Sequence, residues 1–230
     1  MADDAQFDAH AADYTDTVQR AIVASGESVQ FFADLKVELM ARALAIPQPG
    51  RILDFGCGIG NTTRSLAARF GRATVTGFDI SPGSIAVARQ MSDGSDRPRY
   101  AAGEGDVLPF GNGVFDAAFT SCVFHHVEPA NRLHWAREIR RVLEPGAPLF
   151  LFEHNPWNPL TVHVVKSIPF DEGVVLLRPG DTTRLLETAG FSASRPRYYF
   201  FFPAGLRALR PLERWLTRIP MGAQYYVVGR

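Results

Sequence analysis

The sequence predicts an α/β fold built on a doubly wound, mostly parallel sheet. Short apolar runs of strand length alternate with helical patterns between residues 51 and 153. A glycine-rich turn follows the first of these runs, and a carboxylate closes the second. This alternation indicates parallel strands, because each parallel pair needs a long crossover connection that is usually a helix.

Each predicted element has its own signal. Apolar residues at helical spacing predict helices within 1–46, and Ser81 followed by Pro82 favours a helix start. Two prolines restrain the residues before them, so 154–159 is predicted to be irregular. The predicted strands are 51–55, 73–79, 98–102, 115–120, 147–153, 195–202 and 223–229. The other predicted helices are 61–70, 82–91, 130–143, 180–189 (capped by Asp181 or Thr182) and 204–219.

Composition bounds the class of protein. The 230 residues are 46% hydrophobic and 21% charged, which suits one soluble domain over 1–230. Basic and acidic residues number 24 each, so the net charge is zero and a nucleic-acid partner is not expected. The sequence shows no signal peptide, no disulfide framework and no apolar segment long enough to span a bilayer. A cytoplasmic location is therefore expected.

The most informative stretch is the turn after the first predicted strand. Asp54 lies at the end of this strand, and Gly56, Gly58 and Gly60 follow at alternate positions before a helical pattern. Glycines let the backbone turn sharply and approach a ligand without a Cβ in the way. The Asp54 carboxylate would repel a phosphate, whereas it would attract an ammonium or sulfonium group. A glycine turn that binds no ligand is the alternative.

A second carboxylate, Asp79, closes the second predicted strand. The order strand, turn, helix, strand brings Asp79 beside the glycine turn, where it could accept hydrogen bonds from the hydroxyls of an adenosine ribose. Nicotinamide-dependent oxidoreductases use the same device, so they are an alternative. Their motif has its third glycine one position later than Gly60, which argues against them. A cap for the helix at Pro82 is the other interpretation of Asp79.

Three further motifs complete a pattern. Gly-Asp-Val-Leu-Pro-Phe at 105–110 follows the third strand, Phe-Asp at 115–116 opens the fourth, and His125-His126 follows it. Together with the glycine turn and Asp79, this order resembles the class I S-adenosylmethionine (SAM) methyltransferases. The resemblance implies a Rossmann-like sheet with strand order 3-2-1-4-5-7-6, the last strand antiparallel. It also implies a SAM-binding core at 51–153, N-terminal lid helices and an acceptor side at 154–230.

The resemblance also implies the residues of a SAM site. They are Asp54, Gly56, Cys57, Gly58, Gly60, Asp79, Ile80, Asp106, Val107 and Ser121. Asp54 and the glycine turn would hold the methionyl part, and Asp79 the ribose. Asp106 and Val107 would hold the adenine, and the backbone near Ser121 the methionyl amine. Tyr14 belongs to a weaker match at 7–14, where relatives fold a segment over the cofactor; packing of Tyr14 on the core is the alternative.

The catalytic candidates are His126 and His125, of which His126 is preferred. Both follow the fourth strand at the carboxyl edge, where ligands bind in such sheets. An imidazole has a pKa suited to proton transfer near neutrality, so His126 could act as a base or orient the acceptor. Packing on the cofactor side is the alternative. The leaving thioether needs no protonation, so positioning and desolvation can supply much of the catalysis, and no metal ion is expected.

The acceptor pocket is expected beside the end of the fifth strand. Glu153 and His154 end that strand, and Trp157 follows within a segment rich in asparagine and proline. Polar and aromatic side chains together suit a small acceptor. The alternative is a loop that two prolines and backbone-bonded amide side chains stiffen.

The stretch 204–219 has two faces. Arginines recur three or four residues apart, and Leu209, Leu212, Leu216 and Ile219 form an apolar stripe with Trp215 at its edge. A basic amphipathic helix can lie on a membrane surface or hold an anionic acceptor. The more frequent arrangement buries the apolar stripe and leaves the arginines in solvent.

These features predict a SAM-dependent methyltransferase that acts on oxygen or nitrogen of a small molecule, such as a natural-product or glycan-lipid intermediate. Its second product would be S-adenosylhomocysteine. The alternatives are a nicotinamide-dependent oxidoreductase and a non-catalytic SAM-binding module that acts through a partner protein.

Overall fold

A computed structural model describes residues 11, 13–44, 48–92, 97–103 and 105–230. Its strands are β1 (Arg51–Phe55), β2 (Thr74–Asp79), β3 (Arg99–Ala102), β4 (Ala117–Ser121), β5 (Leu149–His154), β6 (Arg197–Tyr199) and β7 (Gln224–Gly229). They form one seven-stranded sheet in the order β3-β2-β1-β4-β5-β7-β6.

The helices surround this sheet. They are α1 (Tyr14–Ala21), α2 (Val29–Ala43), α3 (Asn61–Arg69), α4 (Pro82–Gln90), α5 (Arg132–Val142), α6 (Pro159–Lys166), α7 (Pro179–Thr188) and α8 (Glu213–Leu216). Shorter 3₁₀ segments lie at Val23–Ser25, Pro169–Asp171 and Ala204–Leu212. Within the described residues, no helix is both long enough and apolar enough to cross a bilayer.

The topology confirms the predicted fold. β1 pairs in parallel with β2 and β4, and the parallel pairing continues to β3 on one side and β5 on the other. β7 lies antiparallel between β5 and β6. The strand order reverses between β1 and β4. The carboxyl ends of these strands therefore border the crevice in which open α/β sheets bind ligands.

Both faces of the sheet are buried at its central strands β1, β4 and β5, which explains why the sequences of these strands are mostly apolar. Leu53 and Phe55 of β1 pack with Trp135 of α5 on one face. Ile52, the neighbour of Leu53, packs with Met40 of α2 on the other face. Successive strand residues point to opposite faces, so one strand contributes to both halves of the core.

The structure differs from the sequence prediction after β5, because a helix that was not expected, α6, begins at Pro159. Asn158 caps this helix, since its side-chain oxygen accepts a hydrogen bond from the backbone N–H of Thr161 at 3.0 Å. Proline is well suited to the first helical position, where its missing N–H costs nothing. The second proline of the segment therefore starts a helix instead of extending the loop.

The helix predicted at 180–189 begins at Pro179, and its cap also differs from the prediction. Arg178, with extended backbone, is the N-cap residue, so Asp181 and Thr182 lie inside α7. Proline again takes the first helical position.

The single helix predicted at 204–219 is instead a 3₁₀ segment followed by the short α8. Leu206 has non-helical backbone angles, and Pro211 has no N–H to donate to a regular α-helix. These two residues account for the interruption.

Candidate active site

The carboxyl ends of the parallel strands open into a cavity of about 700 Å³. Its wall on the sheet side consists of the glycine turn and of residues that follow β2, β4 and β5. Other parts of the wall come from α1, α2, α6, the 3₁₀ segments Val23–Ser25 and Pro169–Asp171, and the chain at 200–203. A cavity of this volume is in the range that holds small-molecule ligands.

Backbone geometry explains the glycines of the turn. Gly56, Gly58 and Gly60 have φ angles of 71°, 51° and 78°, in the left-handed region that favours glycine. A Cβ on Gly56 would lie 2.3 Å from Cγ2 of Val123, so this glycine also permits the close approach of the loop after β4. A Cβ on Gly58 would meet no described atom within 4 Å, and Gly58 lines the cavity. Its backbone therefore faces the ligand space.

Asp79 is held beside the glycine turn. Its Oδ2 accepts a hydrogen bond from the backbone N–H of Gly58 at 2.7 Å, and its Oδ1 accepts one from Ser81 at 3.0 Å. The cap of α4 is Ser81 itself, whose hydroxyl accepts from the N–H of Ser84. Asp79 and Ile80 both line the cavity. A contact between Asp79 and the ribose requires Asp79 to lie beside the glycine turn at the cavity, as it does here. The contact itself stays a prediction.

Asp54 brings a buried carboxylate to the cavity. Its Oδ2 accepts a hydrogen bond from the hydroxyl of Thr63 at 2.7 Å. Burial raises the pKa of Asp54 to about 7; the Thr63 bond opposes the rise, Asp79 adds to it, and the charge of Lys36 opposes it. A cationic ligand group near Asp54 would favour its ionised form in the same way as Lys36 does.

Lys36 is a charged cavity residue that the sequence prediction missed. It lies on the buried face of α2 and lines the cavity. Its ammonium donates a hydrogen bond to Oγ of Ser121 at 2.7 Å and lies 3.8 Å from Sγ of Cys122. Among the residues that the structure describes, no salt bridge of 4.0 Å or less joins Lys36 to a carboxylate. The sequence did contain a sign of this burial, because Lys36 lies four residues from both Phe32 and Met40 and therefore shares the apolar face of its helix.

Two other predicted residues, Cys57 and Tyr14, also line the cavity. Burial and the charges of Asp54 and Asp79 raise the pKa of the Cys57 thiol well above its usual value. A raised pKa disfavours the thiolate that a nucleophilic cysteine needs. The Tyr14 ring stacks on Phe170 with 5.2 Å between centroids, while residues 7–10 and 12 of its motif lie outside the described residues.

Asp106 and Val107 are not among the residues that line the cavity. Both are exposed in the turn after β3, and the Asp106 carbonyl is hydrogen-bonded to Nε2 of His134. The predicted adenine contact would require this turn to approach the cavity. It stays a prediction.

The two candidate histidines have different surroundings. His125 is buried, with Nδ1 2.7 Å from Oε2 of Glu153 and Nε2 3.9 Å from Oδ1 of Asp171. Burial by itself lowers the pKa of His125, but the charge of Glu153 and hydrogen bonds with Asp171 and Glu153 raise it to about 10. His125 is therefore a cation at neutral pH and cannot accept a proton.

His126 is the histidine that can act as a base. Burial and the positive charge of His125 lower its pKa, although Asp171 acts in the opposite direction. Nε2 of His126 lies 3.2 Å from Oδ1 of Asp171. An ionised carboxylate can only accept a hydrogen bond, so a neutral His126 carries its proton on Nε2 and Nδ1 is the basic nitrogen. Asp171 was absent from the prediction, because nothing in the sequence linked the segment at 169–171 to the strand ends.

Two of the three predicted acceptor residues lie elsewhere. Glu153 is buried and bonded to His125, and Trp157 is 53% exposed; neither lines the cavity. His154 does line the cavity, with Nδ1 3.3 Å from Nε2 of Gln224. The alternative interpretation, a loop stiffened by amide side chains that bond to the backbone, fits Asn155, whose side-chain amide donates to backbone carbonyls. Glu153 thus orients His125 instead of contacting an acceptor.

The part of the cavity wall that lies outside the sheet is largely apolar. Its side chains include Ile22, Val23, Leu160, Val164, Ile168 and Phe201. An acceptor here would meet hydrocarbon on several sides and imidazole groups near the sheet edge.

A cluster of metal-ligand type also occurs here. His125, His154 and Asp171 could each offer one ligand atom, and these atoms lie within 4.8 Å of one another. A protonated His125 has no lone pair to offer a metal ion, and its charge already balances nearby carboxylates. The ion pairs account for the cluster, and a metal-free reaction stays a prediction.

Known proteins resemble both the sequence and the fold. Residues 52–146 match the family described as a methyltransferase domain. An uncharacterized methyltransferase of Synechocystis sp. is 33% identical over 168 residues, which cover 70% of this chain and 76% of the relative. The chain belongs to the class I SAM-dependent methyltransferases. A solved SAM-dependent methyltransferase from Mesorhizobium loti agrees, with a TM-score of 0.60 and 26% identity over 84% of this chain and 95% of that one.

Other relatives of this methyltransferase share a smaller part of their length. The demethylmenaquinone methyltransferase of Thermus thermophilus is 32% identical over 130 residues, which cover 56% of this chain and 58% of the relative. The match spans 34% to 58% of the length of this and several further curated relatives.

The cofactor of this methyltransferase is SAM, and the charges of the cavity fit it. Asp54 would attract the ammonium and sulfonium charges, and Lys36 would pair with the methionyl carboxylate. Asp79 would accept hydrogen bonds from the ribose. The family assignment removes the nicotinamide-dependent alternative.

Replacement of Lys36 by methionine is expected to weaken SAM binding by about 10- to 100-fold, the usual effect of losing a hydrogen bond to a charged group. Decarboxylated SAM lacks the carboxylate that Lys36 would bind, so wild type and Lys36→Met should bind this ligand with nearly equal affinity. Calorimetry with both ligands measures the difference, and Lys166→Met, which changes an exposed lysine, is the matched control. An equal loss for both ligands would contradict the assignment.

Glu153→Gln is expected to lower the free energy of unfolding by about 3 to 5 kcal/mol, because it removes one partner of a buried ion pair. The pKa of His125 is raised in the folded protein, so its contribution is complete below about pH 6.5 and is lost as the pH rises through about 10. The difference between wild type and variant in denaturant titrations should therefore shrink from pH 6.5 to 10. Glu144→Gln, at an exposed ion pair, should cost less than about 1 kcal/mol. A difference that does not depend on pH would contradict the pairing.

Proposed function

We propose that this methyltransferase acts on a hydroxyl oxygen or amine nitrogen of a small molecule whose larger part is apolar. The observation that carries the proposal is the juxtaposition of an apolar cavity wall with the His126–Asp171 pair. Natural-product and glycan-lipid intermediates are acceptor classes with this combination of a polar reacting group and an apolar body. The Thermus thermophilus relative is named for demethylmenaquinone, which supports a small-molecule acceptor.

When bound, SAM supplies an electrophilic methyl group on a sulfonium sulfur that leaves as a neutral thioether. The protein positions the acceptor and excludes water. The apolar wall covers the acceptor's body, and Tyr14, stacked on Phe170, closes part of the cavity on the side of α1. Positioning of two reactants and removal of water both accelerate such a displacement.

His126 is the residue that removes a proton when the acceptor is a hydroxyl. Its Nδ1 accepts the proton, and the Nε2–H donated to Asp171 fixes the ring and its tautomer. Asp171 also stabilises the imidazolium that forms, as the carboxylate does in other histidine–carboxylate pairs. An acceptor that attacks as a neutral amine needs less from His126, because it can lose its proton after methyl transfer.

The His125 cation has a different role. It holds Asp171 and Glu153 near the sheet edge and lowers the pKa of His126. This keeps His126 in its neutral, basic form at neutral pH.

An acceptor panel of matched compounds tests the proposed function. Each apolar skeleton would carry a hydroxyl, an amine or a carboxyl group and would be incubated with SAM and the full chain. Mass spectrometry would detect the methylated product and S-adenosylhomocysteine together. Methylation of hydroxyl or amine members supports the proposal. SAM binding without turnover of any member, or turnover of only the carboxyl members, contradicts it.

His126→Ala is expected to lower the single-turnover rate with a hydroxyl acceptor by about 10²- to 10⁴-fold, the usual contribution of a general base. The wild-type rate should fall as the pH drops through the pKa of His126, which lies below its usual value, because the protonated ring cannot accept a proton. A loss of less than about threefold together with a flat wild-type profile would exclude the base role.

Asp171→Asn should also lower this rate, since it removes the acceptor that fixes the His126 tautomer. The loss in the double variant should be no greater than in His126→Ala alone, because the two residues act as a unit. Asp181→Asn, at an exposed ion pair, is the matched control. SAM affinity, measured in parallel, should stay near the wild-type value in each variant, and additive losses would contradict the pairing.

Removal of divalent metal ions is expected to leave the methylation rate unchanged, because His125 is protonated between two carboxylates. The measurement is turnover after exhaustive dialysis against EDTA, with zinc, magnesium and manganese added back separately. Activity that disappears on dialysis and returns with one metal would contradict the prediction.

A further inference from the structure

The segment 204–221 turns its apolar residues toward solvent. Leu206, Leu209, Leu212, Trp215, Ile219 and Met221 are between 40% and 70% exposed. No residue of the 3₁₀ segment or of α8 is buried. The interpretation that the apolar side of 204–219 packs against the core is therefore wrong. We call these six side chains the apolar stripe; they include Leu209, Leu212, Trp215 and Ile219 of the predicted stripe, whereas Leu216 is half-buried.

Two charged residues fix this orientation. Glu213 accepts hydrogen bonds from the backbone N–H groups of Phe200, Phe201 and Phe202, at 3.0 to 3.1 Å. Arg210 pairs with Glu27 at 2.6 Å and lies over the rings of Phe31 and Phe200. The polar anchors of the segment thus face the protein, and its apolar side chains face outward.

The exposed charged residues of the segment 204–221 all carry one sign. Arg207, Arg214 and Arg218 are exposed, and the Arg214 guanidinium lies 4.0 Å from the centre of the Trp215 ring. Glu213 is the acidic residue of the sequence 200–223, and it is used by the anchors just described. The sequence 155–168, which contains α6, has no acidic residue. A chain with zero net charge therefore presents a cationic face here.

The apolar stripe is continuous with the mouth of the cavity. Val23 and Leu160 line the cavity and are 70% and 76% exposed, so they form its rim. The side-chain amide of Asn158, at the start of α6, donates to the carbonyl of Met221 at 2.8 Å. On the other side, the turn at Gly26 approaches Ala204 so closely that a Cβ would lie 2.7 Å from it. The rim and the stripe therefore belong to one surface.

We propose that this surface docks on a membrane that contains anionic lipid, and that the acceptor enters the cavity from that membrane. Exposed leucines and a tryptophan beside arginines are the combination that binds the interface of a bilayer, with apolar groups in the acyl boundary and cations at the headgroups. Entry of the acceptor from the membrane rests on the proposed function, whereas docking on the membrane does not. An acceptor with an apolar body would pass from the bilayer across Val23 and Leu160 into the cavity.

Vesicle sedimentation with the full chain tests the docking. Binding is expected to vesicles of phosphatidylcholine with phosphatidylglycerol, and much less to phosphatidylcholine alone. The triple variant Arg207→Gln, Arg214→Gln, Arg218→Gln should bind anionic vesicles on the order of 100-fold more weakly, or about fivefold for each arginine. The matched control Arg72→Gln, Arg99→Gln, Arg137→Gln has the same net charge, changes exposed arginines elsewhere, and should bind nearly as the wild type does.

The apolar contribution has its own test. Leu209→Ser with Leu212→Ser should weaken vesicle binding at least tenfold, whereas Met91→Ser, which changes an exposed side chain at the C-terminal end of α4, should not. In a Trp157→Phe background, Trp215 fluorescence should shift to shorter wavelength on anionic vesicles, since Trp135 is already buried. Equal binding to neutral and anionic vesicles, no binding to either, or a dimer that the leucine variants disperse would each overturn the docking.

Methylation separates this proposal from the proposed function. If soluble acceptors are methylated but vesicles are not bound, only the docking is wrong. If vesicles are bound and no acceptor is methylated, only the proposed function is wrong. An acceptor embedded in anionic vesicles should be methylated at least tenfold faster by wild type than by the triple arginine variant, at equal SAM affinity, and equal rates would overturn entry from the membrane.

Discussion

The buried cation of His125 is the interaction on which the arrangement of the site depends. It joins three parts of the chain: its own loop after β4, Glu153 at the end of β5, and Asp171 in the segment beyond α6. A buried charge that loses its partner is strongly destabilising, so the three parts must stay together. The same contacts bring Asp171 within 3.2 Å of His126 and place Phe170 against Tyr14 of α1. A structural ion pair therefore determines where His126 lies and how the helix α1 covers the cavity.

The cofactor side follows a different principle. Backbone N–H groups hold Asp79, whereas Asp54 and Lys36 are buried and, in the part of the chain that the structure describes, neither forms a salt bridge of 4.0 Å or less. Burial of a charge without a partner of opposite charge costs free energy. A zwitterionic and cationic ligand such as SAM would supply the missing partners, so the cost becomes selectivity for that ligand. The geometry needs no rearrangement of the sheet, because the strand ends already hold both carboxylates.

The sequence was sufficient for features that depend on neighbouring residues. Local patterns predict the glycine turn and the positions of Asp54 and Asp79, and the family resemblance implies the strand order. The structure agrees with both. Lys36 and Asp171 were missed because their roles arise from contacts with residues far away in the chain. Glu153 was placed in the acceptor pocket because its position at a strand end could be predicted, whereas the direction of its side chain could not. The start of α6 was missed because a proline can either extend a loop or begin a helix.

The segment 204–221 shows why an amphipathic pattern does not determine its own orientation. Helical spacing shows that apolar residues share one face, but the direction of that face depends on what the opposite face binds. Here Glu213 binds three backbone N–H groups after β6, and Arg210 binds Glu27. Charged and hydrogen-bonded anchors thus take the inner positions that leucine would occupy in an ordinary amphipathic helix. The same anchors hold the chain at 200–203 beside the cavity, where Phe201 and Pro203 contribute to its wall. The anchors Glu213 and Arg210 therefore account for both features: they turn the apolar side chains of 204–221 toward solvent, and they hold apolar residues in the cavity wall beside them.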